Sequence, residues 1–222
     1  NSAGTVAGAC MIAYDGTELP ITDDVLMTAE VTTRDIDRGD APHFLLKEIM
    51  EAPQSFHKTL RGRIDEVDSL LRADLGESSF PADIAARLAS GSLGRIRIIG
   101  QGTAAVAGQS MVGVLNTLCG GAIQVAAMTA TELSGFSMQA DMSDMLVVAV
   151  SQSGTTTDTN RTVDLLATRG ASIISIVNRR GSELANKSHG VLYTSDGRDV
   201  EMSVASTKAF YAQVAAGSLL SC

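Results

Sequence analysis

Three segments place hydroxyls and glycines where the chain passes from an apolar strand pattern to a helical one. They are Gly100-Gln101-Gly102-Thr103-Ala104, Ser151-Gln152-Ser153-Gly154-Thr155-Thr156, and Val204-Ala205-Ser206-Thr207-Lys208. A helix begins with unpaired backbone N–H groups and a partial positive charge, which together attract anions. Ser151, Ser153 and Thr156 add hydroxyl donors, and Gly154 lets the backbone approach a ligand. Such a site suits a phosphomonoester without a cluster of Lys or Arg. A Ser or Thr at this position also serves as a plain N-cap, and for a single loop that is the commoner role. Two such loops at one crevice favour the phosphate.

A parallel sheet could bring the loops together. Short apolar runs at 96–99, 123–127, 145–150, 173–177 and 191–193 read as strands. Helical patterns at 104–118, 156–168, 182–186 and 206–219 alternate with them, and 129–136 is a shorter link. This alternation predicts an α/β fold, a doubly wound five-stranded parallel sheet of flavodoxin-like type. In a 2-1-3-4-5 strand order the crevice lies between strands one and three, which feed the first two loops. Extra N-terminal helices precede the sheet. Leu45, Leu46, Ile49 and Met50 recur at helical spacing, and Pro53 interrupts. Phe56, Leu60, Ile64, Val67, Leu70 and Leu71 then form a longer amphipathic stripe. A further helix over 81–88 has Ser79 as its expected cap, and 9–13 reads as a strand.

Composition bounds the function. The 222 residues are 45% hydrophobic and 19% charged, enough to bury a core in one domain with an arm. A net charge of −8 argues against a nucleic-acid or anionic-membrane partner. No apolar run approaches the roughly 18 residues of a membrane span. Cys10, Cys119 and Cys222 stand far apart, with neither a disulfide framework nor metal spacing, which points to a reducing cytoplasm. Residues 1–41 hold eight acidic residues against Arg34 and Arg38, and so carry −6 of the −8. They read as an acidic linker or tail, and 42–222 as the folded domain. A first residue Asn1 and a last residue Cys222 inside a helical pattern suggest a piece of a longer protein.

Other constellations are weaker. Gly100-x-Gly102-x-x-Ala105 mimics a dinucleotide fingerprint, but Ala127-Met128-Thr129 stands where the ribose-binding acid belongs, with Glu132 too far on. His43, His57 and His189 are scattered, so no metal is expected. Glu132 either orients a loop by accepting N–H bonds or is a helix-start carboxylate. Lys208 falls in a first helical turn, where the dipole disfavours a cation. It has either an anion or carboxylate partner, or solvent around it.

Ser151 to Thr159, read as Ser-Gln-Ser-Gly-Thr-Thr-Thr-Asp-Thr, strongly resembles the Ser-Gln-Ser-Gly-Glu-Thr-x-Asp-Thr signature of sugar isomerase (SIS) domains. More narrowly, it resembles the synthase half of glucosamine-6-phosphate synthases, the isomerising glutamine–fructose-6-phosphate aminotransferases. Gly102-Thr103 matches that family's Cys-Gly-Thr-Ser loop, and Glu201 to Phe210 its Glu-x-x-Val-Ala-Ser-Thr-Lys-Ala-Phe segment. His43 to Ile49, followed by Ala52-Pro53, matches the opening of the synthase half. The resemblance covers 42–222. More weakly, 11–40 resembles the end of a glutaminase domain and its linker.

The resemblance implies a SIS domain over 42–222 that binds a hexose 6-phosphate, with fructose 6-phosphate foremost, for glucosamine 6-phosphate synthesis. Ser151, Gln152, Ser153 and Thr156 would hold the phosphate with Thr103 close by. Val204 and Ser206 would line the sugar. Neither a metal nor an organic cofactor is implied, and SIS domains of this family pair, so a homodimer is expected. The family's acid–base residues come mainly from a second SIS domain and a C-terminal tail, so no catalytic residue is assigned here. Its glutaminase nucleophile is an N-terminal Cys, which neither Asn1 nor Cys10 supplies. Gln101, Ala104 and Thr155 stand where the family carries Cys, Ser and Glu. Two rival readings are a phosphosugar-sensing or scaffold module without turnover, and a single-domain sugar-phosphate isomerase that completes its site from a dimer partner.

Overall fold

A computed structural model describes residues 8–26 and 36–222. The chain divides into two compact units, residues 1–31 and 32–222. In the small unit β1 (Met11–Ile12) and β2 (Glu18–Leu19) pair antiparallel, and a 3-10 turn follows at Asp23–Val25. The strand expected over 9–13 is therefore only two residues long. Part of the acidic 1–41 segment, including Glu30, Arg34 and Asp35, lies outside the described residues.

The large unit opens with α1 (Phe44–Leu60), which runs through Pro53 without stopping. The proline withholds one helical N–H, a cost of about 3 kcal/mol in an isolated helix. Packing of α1 on the last helix of the chain offsets it. The expected second helical stripe does not form. Gly62 turns left-handed after α1, with φ at 68°. β3 (Ile64–Val67) and β4 (Leu70–Ala73) then pair as a hairpin. Its turn residues Asp68 and Ser69 both have positive φ, the two-residue turn that matches strand twist. Thus Ile64, Val67, Leu70 and Leu71 lie on a hairpin and are exposed, although their spacing also fits a helix. Next, α2 (Ala82–Ala89) starts behind Pro81, and Ser79 does not cap it. The carbonyl of neighbouring Ser78 instead accepts the Val191 N–H at 2.9 Å.

The five expected strands all form: β5 (Arg95–Gly100), β6 (Gln124–Thr129), β7 (Met145–Ser151), β8 (Ser172–Val177) and β9 (Gly190–Tyr193). They lie in the order β6-β5-β7-β8-β9, every pair parallel. This is the 2-1-3-4-5 arrangement read from the sequence. The intervening helices are α3 (Thr103–Cys119), α4 (Ala130–Phe136), α5 (Thr157–Ala167), α6 (Glu183–Lys187) and α7 (Lys208–Leu220).

Strand alternation explains the two cores. Along β7, Leu146, Val148 and Val150 join Ile84 of α2, Met111 of α3 and Ala216 of α7 on one face. Met145, Val147 and Ala149 join Leu133 of α4, Val163 and Leu166 of α5 and Leu184 of α6 on the other. Both faces are covered, so β7 is buried throughout and reads as an unbroken apolar run.

At Gly100, the end of β5, α3 comes close to the sheet. A Cβ there would meet the Ala104 carbonyl carbon and the Ala105 nitrogen at 2.9 Å and the Val150 oxygen at 3.0 Å. All three are backbone and cannot swing aside. Gly100→Ala is therefore expected to lower stability by about 1–3 kcal/mol, as overpacking does. The midpoint of urea unfolding, compared with wild type, reads this directly; an unchanged midpoint would show that the β5–α3 junction has room to give.

Candidate functional site

β5 and β7 are neighbours in the sheet, yet the helices they feed lie on opposite faces. α3 covers the first core and α5 the second. Their loops part at the carboxyl ends of the strands and leave a crevice, the usual ligand position in such sheets. A pocket of about 210 Å³ occupies it. All seven expected residues, Thr103, Ser151, Gln152, Ser153, Thr156, Val204 and Ser206, line this one pocket.

The β7–α5 loop is pinned from several sides. Gly154 has φ at 66°, and a Cβ there would lie 2.1 Å from Ser182 Oγ, so only glycine fits. Its carbonyl accepts the Leu184 N–H at 3.0 Å and Asn160 Nδ2 at 3.1 Å. The Gln152 carbonyl accepts N–H groups of Asn178 and Arg179 at 3.1 and 3.3 Å. These bonds fix the hydroxyls. Ser151 Oγ accepts the Gly154 N–H at 3.1 Å and lies 3.3 Å from Thr156 Oγ1. Ser153 Oγ accepts both the N–H and the hydroxyl of Thr155, at 3.2 and 2.9 Å. With its acceptor positions so used, the Ser153 proton is free to be donated elsewhere. Thr155, which replaces the family's Glu, thus orients Ser153.

The plain-cap role does not describe these loops. No side chain caps α3, whose N-cap is Gly102, or α5, whose N-cap is Thr156. A real cap stands nearby for contrast: Thr129 Oγ1 accepts the Glu132 N–H at 3.2 Å at the start of α4. Glu132 is accordingly a first-turn carboxylate outside the pocket lining. Ala104, where the family has Ser, is buried and packs into the first core.

The third wall comes from the segment between β9 and α7, which has no regular structure beyond a short 3-10 turn at Ser195–Gly197. Two carboxylates hold it. Glu201 Oε1 accepts the N–H groups of Thr207 and Ala209 at 2.8 and 3.1 Å and the Thr207 hydroxyl at 3.2 Å. Its Oε2 accepts Ser206 Oγ at 3.2 Å. Glu201 therefore caps α7 from upstream. Glu48 of α1, 1% exposed, accepts the Met202 and Ser203 N–H groups and the Ser203 hydroxyl. Lys208 is buried and pairs with Glu51 Oε2 at 2.7 Å, which supplies the carboxylate its helix-start position called for. Val204, by contrast, is fully exposed at the rim.

Six lining residues were not among the seven expected: Gln101, Ala104, Val150, Glu201, Ser203 and Gln213. Gln101 ties the end of β5 to the first turns of α4 and α5, with Nε2 at 3.2 Å from Thr131 Oγ1 and 3.4 Å from Asp158 Oδ2. Gln213 is 2% exposed, and its Oε1 has no protein partner. It projects from the middle of α7, and an isolated polar residue in an apolar helix is the signal that could have marked it.

Removal of the Glu48 carboxylate would leave the Met202 and Ser203 amides without their acceptor. Glu48→Ala is expected to cost about 1–3 kcal/mol, the penalty for orphaned buried polar groups. Amide exchange at Met202 and Ser203 should quicken, and Glu48→Gln should restore part of the protection. Unchanged exchange in Glu48→Ala would show that something else holds the segment.

Comparison with known proteins follows the same lines. The family model for the SIS domain matches residues 92–221. The chain is 34% identical over 220 residues to a glutamine–fructose-6-phosphate aminotransferase (isomerizing) of Bacteroides thetaiotaomicron, covering 96% of this chain and 34% of that protein. It is 37% identical over 185 residues to the enzyme of the same name from Symbiobacterium thermophilum, covering 83% and 28%. The chain thus spans about a third of the length of these relatives. Among solved structures, the C-terminal domain of glucosamine-fructose-6-phosphate aminotransferase from Francisella tularensis superposes with a TM-score of 0.66 at 25% identity, over 83% of this chain and 48% of that one. The Vibrio vulnificus NanR protein complexed with ManNAc-6P shares the fold, with a TM-score of 0.52 at 20% identity, over 83% and 62%. A match to more than half of the chain, on the sheet order and loops described above, makes this chain a member of the SIS domain family.

Proposed function

We propose that the crevice binds a hexose 6-phosphate, fructose 6-phosphate foremost, as the phosphosugar-binding part of an isomerising glutamine–fructose-6-phosphate aminotransferase. The observation that carries this reading is the β7–α5 loop. It offers a helix start with no side-chain cap and three hydroxyls, Ser151, Ser153 and Thr156, on the pocket wall. The phosphate sits there with Gln152, and Thr103 reaches it from the start of α3. The sugar extends toward Val204, Ser206 and the unpartnered Gln213 Oε1. These residues bind and orient; ring opening, imine formation and proton transfer fall to parts of the longer enzyme. In this reading 42–222 is the SIS domain and 1–41 an acidic linker or the tail of a glutaminase-like domain. A cytoplasmic setting accords with three free cysteines. No helix among the described residues is long and apolar enough to cross a membrane.

Calorimetric titration with fructose 6-phosphate tests the site. Ser153→Ala is expected to weaken binding about tenfold or more, the loss of one hydrogen bond to a charged oxygen. Equal affinity in the two proteins would remove the loop from the site.

The same reading includes a homodimer. Support comes from the β3–β4 hairpin, where Leu70 and Leu71 are 62% and 76% exposed. A stable pairing needs about 1,000 Å² or more of buried surface. Sedimentation at micromolar concentration is expected to show a dimer that Leu71→Glu dissociates. A monomer in the unaltered chain would defeat it.

A further inference from the structure

The segment from 198 to 208 walls a second cavity besides the sugar pocket. Its volume is about 330 Å³, and its lining is almost entirely polar. One face of α1 supplies Lys47, Glu51, Ser55 and Lys58, spaced at one-turn intervals so that they stack in a row. Arg198, Asp199 and Lys208 close the other side. Lys47, Lys58 and Lys208 therefore face two carboxylates, a surplus of one positive charge among these five residues in a chain whose net charge is −8.

The carboxylates are engaged. Glu51 is shared between Lys47 at 3.3 Å and Lys208 at 2.7 Å. Asp199 meets Lys58 at 3.5 Å and accepts the Ser55 hydroxyl. Each ammonium has three donors, and each of the three lysines has a single carboxylate partner here. Donors therefore remain unused on three lysines that line the cavity. The position of Lys208 sharpens the point. Its side chain is 4% exposed in the first turn of α7, where the helix dipole repels a cation, and Glu51 is already shared. Burial of a lysine there is costly unless further negative charge comes close.

We infer that this cavity is a second anion site, which takes a small phosphorylated ligand carrying two or more negative charges. The inference stands on the cavity and its cations and does not depend on what the sugar pocket binds. A ligand here would touch Lys208, whose chain neighbours Thr207 and Ala209 donate their N–H groups to Glu201. Occupancy would thereby bear on the wall shared with the sugar pocket.

Inorganic pyrophosphate serves as the probe, titrated calorimetrically at an ionic strength held constant with sodium chloride. Wild type is compared with Lys47→Gln/Lys58→Gln and with Ser153→Ala. Pyrophosphate is expected to bind wild type, to bind the double variant at least tenfold more weakly, and to keep its wild-type affinity for Ser153→Ala. Absence of binding to wild type overturns the proposal, as does equal affinity in the double variant. Loss of binding in Ser153→Ala alone overturns it too, because the probe would then occupy the sugar pocket. Should circular dichroism show the double variant unfolded, Lys47→Gln alone takes its place; weaker binding is expected, and wild-type affinity would overturn the proposal.

Discussion

The segment between β9 and α7 has to form a pocket wall without any ladder or helix to hold it. Its backbone N–H groups must still be paired, because buried amides without acceptors cost stability. Two carboxylates meet that demand. Glu201 takes the first amides of α7, and Glu48 reaches across from α1 to take those of Met202 and Ser203. Much else depends on this arrangement. It fixes where α7 begins and where Ser203 and Ser206 stand, on the side where α1 packs against α7. It also deals with a charge problem. Glu201 lines a pocket proposed for an anion, yet its oxygens accept four hydrogen bonds from residues 206–209, which draw its charge toward the helix start.

The other two walls use the opposite device. α3 and α5 begin without side-chain caps; the Ala104 and Ala105 N–H groups of α3 turn back onto the Gln101 and Gly102 carbonyls, and no side chain caps the first N–H groups of α5. The hydroxyls that sequence alone could have assigned to capping are turned instead onto loop amides, as with Ser151 on Gly154 and Ser153 on Thr155. Glycine makes the geometry possible in both loops. Gly100 admits α3 against the sheet, and Gly154 admits the loop against Ser182.

The sheet was legible because both its faces are buried. Runs such as Met145–Ser151 have no polar alternation to confuse with a surface helix, and the order is that of the flavodoxin-like sheet the alternation implied, with the first two loops at its crevice. The seven pocket residues were legible because they sit in short motifs beside strand ends. What escaped was non-local or locally ambiguous. Glu201, Ser203 and Gln213 lie in or after a segment whose path is set by Glu48, more than 150 positions earlier. Ile64, Val67, Leu70 and Leu71 fit helical spacing, and the turn that separates them, Asp68-Ser69, lacks the glycine that usually marks a hairpin. Pro53 was read as a break, but tertiary packing of α1 overrode it.

The chain keeps two ways of meeting an anion apart. Among the described residues that line the sugar pocket there is no Lys or Arg. Whatever binds there must be held by hydroxyls and helix-start amides, short-range donors that discriminate by geometry and are little affected by salt. The cations are gathered in the cavity beside α1, where charge and not shape is the main resource. Full-length charge would suggest that so acidic a protein repels phosphates altogether. Local arrangement decides otherwise: most of the negative charge lies in residues 1–41, and the remaining chain is nearly balanced. The two cavities then differ in kind, one selective through fixed donors and the other attractive through excess positive charge, and the stretch from 198 to 208 is the only wall they share among the described residues.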